Sequence, residues 1–241
     1  MGIEKTMATE LLQITEQVAG QPAWHLPAGW QRRYELLFHE MGLLGKVNGS
    51  PEKVAVDSSA RRPAAGAVIG VAACAGKEGA STVAAHLAVA AAAIGCQTLL
   101  VDTCSCHNPS QHARFSVSLH PGWAEFVQTS GEHPTALLPL STNLWLLPAG
   151  KRSVQATRAH DIYELHSAVK EISAGFDLTF FDLPPASQST MTLRFAGVLD
   201  GVILVAEARQ TSQSQLRRAA ELVQRSNGSL LSVVLNRADL T

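Results

Sequence analysis

The residues of this chain best suited to chemistry lie in one stretch, Ala67–Ala88 (AVIGVAACAGKEGASTVAAHLA). There an apolar run leads into a turn holding Gly76 and Gly79, and a helix opened by Ser81 and Thr82 follows. A glycine-bearing turn at a helix N-terminus points backbone N–H groups and the positive end of the helix dipole at one place, which suits a phosphate. Glycine pairs also precede helices for packing alone, so the turn by itself admits both readings. Asp102 ends the run TLLVD and Asp182 ends LTFFD. A carboxylate in such a place either serves a hard cation such as Mg2+ or caps a turn. The run Cys104-Ser105-Cys106-His107 offers thiolates and an imidazole, but the single residue between the cysteines and the lack of a second pair nearby argue against zinc. Cys74 and Cys96 read as small apolar fillers, and His86, His107, His112 and His120 as ordinary surface or core side chains.

These residues need a scaffold, and the pattern around them supplies one. From Ala67 onward the apolar runs AVIGVAA, TLLVD, LWLLPAG, LTFFD, GVILVAE and SLLSVVLN alternate with helical stretches from Ser81, over His160–Ser173, near Met191–Ala196 and over Ser212–Ser226. Runs apolar on both faces and separated by helices predict an α/β, three-layer fold, a mostly parallel sheet covered by helices on both faces, with ligands at the carboxyl ends of its strands. Ahead of it, Leu11, Leu12, Ile14 and Val18 predict a helix over Glu4–Val18, and Tyr34, Leu37, Phe38 and Met41 a second over Trp30–Leu44. These helices either cover part of the core or offer a surface for a partner or a second copy. The polar, Gly/Pro/Ser-bearing stretch Asn48–Gly66 reads as a linker. The expected organisation is therefore an N-terminal helical appendage (1–47), a linker (48–66) and the main domain (67–241).

Composition narrows the function classes. A length of 241 residues with 46% hydrophobic and 16% charged residues suits one globular core, and a net charge of −1 gives no bulk attraction to nucleic acid or anionic lipid. The apolar stretch Val83–Ile94 is interrupted by His86 and is too short for a membrane span, and the charged N-terminal residues do not resemble a signal peptide. A cytoplasmic protein is expected, without direct membrane insertion and without nucleic acid as a partner.

Over Ala67–Asn236 the chain resembles the nucleotide-binding domain of bacterial tyrosine kinases, within the MinD/ParA group of P-loop ATPases. The matching landmarks are GKEGASTVAAHLA, QTLLVDT, LWLLPAG, FDLTFFDLPPAS, and LDGVILVAEARQT with SVVLNR. The resemblance implies a P-loop NTPase fold with ATP and Mg2+ as ancestral ligands. It puts Gly76, Lys77, Glu78, Gly79, Ala80, Ser81 and Thr82 around the phosphates, and Ser81, Asp102 and Asp182 around the metal. Asn236 is then expected at a purine base. It also implies a partner, the cytoplasmic part of a membrane polysaccharide chain-length or synthase protein, with a homo-oligomer as a further expectation.

The departures from that pattern are specific. The loop lysine that reaches the β- and γ-phosphates in G-K-[ST] is replaced by Ala80, and the extra lysine of MinD-type loops falls at Ala75. Cys104 stands where a second aspartate is expected, Cys106 where an arginine often follows, and the sequence has only Tyr34 and Tyr163 in place of a tyrosine cluster. Phosphoryl transfer depends on cations that neutralise charge on the transferred group, and each 1.36 kcal/mol lost is about tenfold in rate, so efficient turnover is not expected. The leading expectation is a non-catalytic regulatory or interaction component of exopolysaccharide or capsule biosynthesis and export, with nucleotide binding weak or lost. The alternatives are an active kinase or ATPase using Lys77 as substitute cation, and a MinD/ParA-like positioning ATPase, for example in cellulose synthesis or secretion.

Overall fold

A strand buried on both faces must place apolar side chains alternately on either side, and the central runs of this chain do so. The computed structural model describes residues 12–14, 30–41, 66–104, 110–128, 137–151 and 161–238. They form, in order, β1 (Leu12–Ile14), α1 (Trp30–Glu40), β2 (Ala67–Ala73), α2 (Ala80–Ala93), β3 (Thr98–Asp102), α3 (Gln111–Arg114), α4 (Trp123–Gln128), β4 (Leu138–Ser141), β5 (Leu144–Leu147), α5 (Ile162–Ser173), β6 (Leu178–Leu183), α6 (Thr190–Ala196), β7 (Gly201–Glu207), α7 (Gln213–Arg225) and β8 (Leu230–Asn236). The sheet has eight strands in the order β1-β8-β7-β2-β6-β3-β5-β4. All neighbours are parallel except β4 and β5.

Alternation along β2 and β6 divides the interior in two. Ile69, Val71 and Phe180 face the layer of α1 and α2, whereas Ala72, Phe181 and Leu183 face that of α4 to α7. On the first side α2 is almost all small residues, which lets it lie close to the sheet and be covered from outside by α1. Tyr34, Leu37 and Phe38 of α1 are buried there, the Phe38 ring 6.2 Å from that of Phe180. On the second side the filling is aromatic, with Trp123, Phe181 and Phe195 packed at centroid distances of 5.4–5.8 Å.

The helix expected over Glu4–Val18 is corrected at its centre: Leu12–Ile14 is a strand, paired parallel to β8 with Leu12 opposite Val234 and Ile14 opposite Asn236. Leu12 and Ile14 are two apart, a spacing that also fits strand periodicity, and the exposed edge of β8 supplies the hydrogen-bonding partners that decide the outcome. The second helix forms over Trp30–Glu40, with 42–44 outside the described residues. The expected linker, 48–66, falls almost wholly outside them as well. Among the described residues no helix is long and apolar enough to cross a membrane.

Candidate phosphate-binding site

The loop between β2 and α2 is shaped by left-handed backbone at Gly76 (φ 116°), Lys77 (φ 73°) and Gly79 (φ 88°). At Gly79 a side chain would run into the carboxamide of Asn236, so this glycine is required by packing as well as by its torsion. The Glu78 side chain, 4% exposed, turns back to accept from the amides of Ala75 at 2.7 Å and Gly76 at 2.5 Å. From the far side, Asn236 Nδ2 donates to the Glu78 carbonyl at 2.9 Å, and Gln188 Nε2 donates to the Ala75 carbonyl. Arg237, paired with Glu207 at 2.8 Å, donates to the Lys77 carbonyl at 3.3 Å.

The start of α2 differs from other long helices of the fold. Helices α5 and α7 begin with complete capping boxes, Asp161 with Glu164 and Ser212 with Gln215, whereas α2 begins at Gly79 with no side-chain cap. Among the described residues no hydrogen bond uses the N–H of Lys77, Glu78, Gly79, Ala80 or Ser81. Unclaimed amides at an uncapped helix start are an anion cradle. A cavity of about 620 Å³ opens over them, lined by Gly76, Lys77, Gly79 to Thr82, Ser110 and Arg114, with Pro184, Pro185 and Gln188 beside Gly76. These groups fit the phosphate part of a nucleotide.

The acidic end of the site is held by the ends of β3 and β6, which lie side by side with Asp102 opposite Asp182. Both are fully buried. Asp182 accepts from Ser81 Oγ at 3.1 Å and from Gln111 Nε2 at 2.8 Å, and the same Gln111 nitrogen donates to the Ser81 carbonyl at 2.8 Å. Asp102 accepts from the amides of Cys104 (2.9 Å), Ser110 and Gln111 (both 3.1 Å). Burial raises the Asp102 carboxyl above the usual range; burial first, and the neighbouring Asp102 charge second, raise that of Asp182. Ligand atoms of Asp102, Asp182 and Cys104 lie within 4.8 Å of one another, and the Ser81 hydroxyl is bonded to the same Asp182 carboxylate, so oxygen donors for a hard cation converge here.

The structure thus gathers Gly76, Lys77, Gly79, Ala80, Ser81 and Thr82 around one cavity, with Asp102 and Asp182 behind it. Asn236 lies at the end of β8, against the loop. It is 1% exposed, its Nδ2 is given to the Glu78 carbonyl and its Oδ1 accepts from the Arg237 amide at 3.0 Å, so in this structure it positions the loop. Ala80, 7% exposed, brings only a methyl group to the helix start, and Lys77 is exposed. Two residues of the site carry no motif in the sequence, Gln111 and Arg114. Arg114 Nη2 donates to Thr82 Oγ1 at 2.9 Å from inside the cavity wall. Cys106 and His107 lie outside the described residues, whereas the buried Cys104 Sγ sits 3.7 Å from the Asp182 carbonyl.

Comparison with known proteins agrees with the resemblance read from the motifs. Residues 67–234 match the family described as cellulose biosynthesis protein BcsQ. The putative tyrosine-protein kinase CapB of Staphylococcus aureus is 24% identical over 160 residues, 66% of this chain and 70% of CapB. The succinoglycan biosynthesis transport protein ExoP of Rhizobium meliloti (strain 1021) is 26% identical over 177 residues, which is 72% of this chain but only 22% of ExoP. Among solved structures the chimerical protein CapA2B2 matches with a TM-score of 0.75 at 20% identity, covering 99% of this chain and 98% of that one, a likeness of fold.

Proposed function

The chain belongs to the cellulose biosynthesis protein BcsQ family, and on that premise we propose that it is a P-loop component of bacterial cellulose or related exopolysaccharide biosynthesis that holds nucleotide weakly and does not turn it over efficiently. It acts by binding, with the cytoplasmic part of a membrane synthase or chain-length protein as its partner. The polymer is taken from the family, and it is the one named above under the positioning-ATPase alternative.

The observation that carries the reading is Ala80. At the first position of α2 its methyl group sits where an ammonium is needed to reach the outer phosphates, while the rest of the cradle is in place. Mg2+, when bound, neutralises phosphate charge, and Ser81, Asp102 and Asp182 are the side chains that would hold it. The loop amides bind and orient the phosphates, and Pro184 and Pro185 line the cavity beside them. Purified full-length chain with Mg-ATP is expected to release phosphate at background rate, unchanged by Asp182→Ala; release abolished by that substitution overturns the proposal. Ala80→Lys is expected to raise ATP affinity about tenfold or more, since a charged hydrogen bond is worth about 1.5–3 kcal/mol.

A second reading, an active kinase, draws on Lys77. Its side chain is exposed on the cavity wall, from which a flexible ammonium can serve as a point charge. Of the two tyrosines only Tyr163, 79% exposed, is accessible to phosphorylation, because Tyr34 is 1% exposed. That reading requires Lys77→Ala to abolish nucleotide binding and a phosphotyrosine signal that Tyr163→Phe removes.

A further inference from the structure

We propose that Arg114 is the phosphate-binding cation of this site, supplying from α3 the charge that position 80 does not supply from the loop. The inference rests on the nucleotide reading above and adds to it a residue that none of the sequence motifs contains.

The argument begins with α3. This helix is only four residues long and has no side-chain cap. Its position is set instead by Asp102, which accepts the amides of Ser110 and Gln111. So anchored, it presents Gln111 and Arg114, three residues apart and therefore on one face, to the start of α2. Gln111 clamps the Ser81 carbonyl and the Asp182 carboxylate. Arg114, one turn on, reaches Thr82 Oγ1 at 2.9 Å. Two side chains from one short helix thereby cover consecutive residues of the phosphate-binding helix start.

Charge accounting points the same way. The Glu78 carboxylate is engaged by two loop amides, Asp102 by the amides of its own loop, and Asp182 by Ser81 and Gln111 and by the charge of Arg114. Among the described residues, Lys77 and Arg114 are the cationic side chains on the cavity wall, but Lys77 is exposed whereas Arg114 is half-buried and bonded to Thr82. Guanidinium stays charged at all relevant pH and offers five donors in a planar fork, so a contact to a hydroxyl does not exhaust its capacity for phosphate oxygens. A fixed cation at the wall of a nest of amides favours phosphate over water without help from position 80.

The test is equilibrium binding of a fluorescent ADP, mant-ADP, to the full chain, followed by anisotropy for wild type, Arg114→Lys, Arg114→Gln and Arg114→Ala, with thermal melts to verify folding. Loss of a charge-assisted contact weakens binding by roughly ten- to hundredfold. That loss is expected in Arg114→Gln and Arg114→Ala, with most affinity kept in Arg114→Lys and a shallower salt dependence in the neutral variants. Affinity retained by Arg114→Gln but lost in Arg114→Lys identifies a neutral structural pin on Thr82 and overturns the proposal. Wild-type affinity in all three folded variants overturns it while leaving the nucleotide reading intact. No binding by the wild type up to millimolar mant-ADP overturns both.

Discussion

The acidic and cationic ends of the site stand about one loop apart and depart differently from the P-loop pattern. At the acidic end Asp102 and Asp182 are present, fully buried, and each bonded to several groups of the surrounding chain. At the cationic end the expected lysine is Ala80, whose methyl group is buried at the helix start. The difference follows from what each group does in the empty protein. A carboxylate that accepts backbone amides holds loops in place, so its presence is explained by folding alone. A lysine that reaches only toward a ligand adds nothing to the fold, so a methyl group replaces it at no structural cost. Retained aspartates are therefore poor witnesses for metal chemistry here, and the cation is the better gauge of what the site binds.

The largest effect that sharpens this contrast is expected at Asp102. Asp102→Ala strips an acceptor from the amides of Cys104, Ser110 and Gln111, at a cost of about 2–4 kcal/mol in urea unfolding, because buried donors left unpaired cost about 1–3 kcal/mol each and relief of the buried charge offsets part of it. Ala80→Lys, at the other end, enlarges a buried position that lines the cavity, so the longer side chain extends into open space and should cost less, about 1 kcal/mol. A destabilising lysine with a harmless Asp102→Ala would reverse the comparison.

Next in size is a pH effect at Asp182, whose carboxyl is raised to about 7 by burial and by the Asp102 charge. A carboxyl raised in the folded state binds its proton more tightly there than in the unfolded chain. Its contribution is thus favourable at low pH and is lost as pH rises from about 4 to about 7. Asp182→Asn keeps a carbonyl for Gln111 and gives its N–H to Ser81 Oγ, so the fold is served without the titration. Relative to wild type, the variant should gain on the order of 1–3 kcal/mol between pH 5 and pH 8, one pKa unit being 1.36 kcal/mol. A flat difference across that range would mean that the carboxyl titrates normally.

Much of this arrangement was legible in the sequence, and the parts that were not escaped for distinct physical reasons. The strands at Ala67–Ala73, Leu178–Leu183 and Gly201–Glu207 announce themselves because a doubly covered parallel sheet leaves no face for polar residues. The loop is legible because glycine at 76 and 79 is a backbone requirement written in residue type. The strand β4 escaped because LPLS is an alternating edge segment with a proline, and β1 because Leu12 and Ile14 fit two periods at once. Gln111 and Arg114 escaped for a deeper reason. A four-residue helix carries no periodicity, and Gln111 meets Asp182 only because the fold joins positions 71 residues apart.

The smallest effect concerns Asn236, and it separates the two tasks an asparagine can have at this place. Because its Nδ2 serves the Glu78 carbonyl and its side chain fills the space in front of Gly79, Asn236→Ala should cost about 1 kcal/mol and free the loop. A loosened loop presents its amides less well to any phosphate, so binding of ADP and of inorganic pyrophosphate should weaken by the same few-fold factor, read by calorimetry. An asparagine that recognised the base would instead weaken ADP and leave pyrophosphate untouched. Since both ends of the carboxamide already meet the chain's own backbone, equal loss is the expected result, and it would assign the C-terminal end of β8 to shaping the cradle.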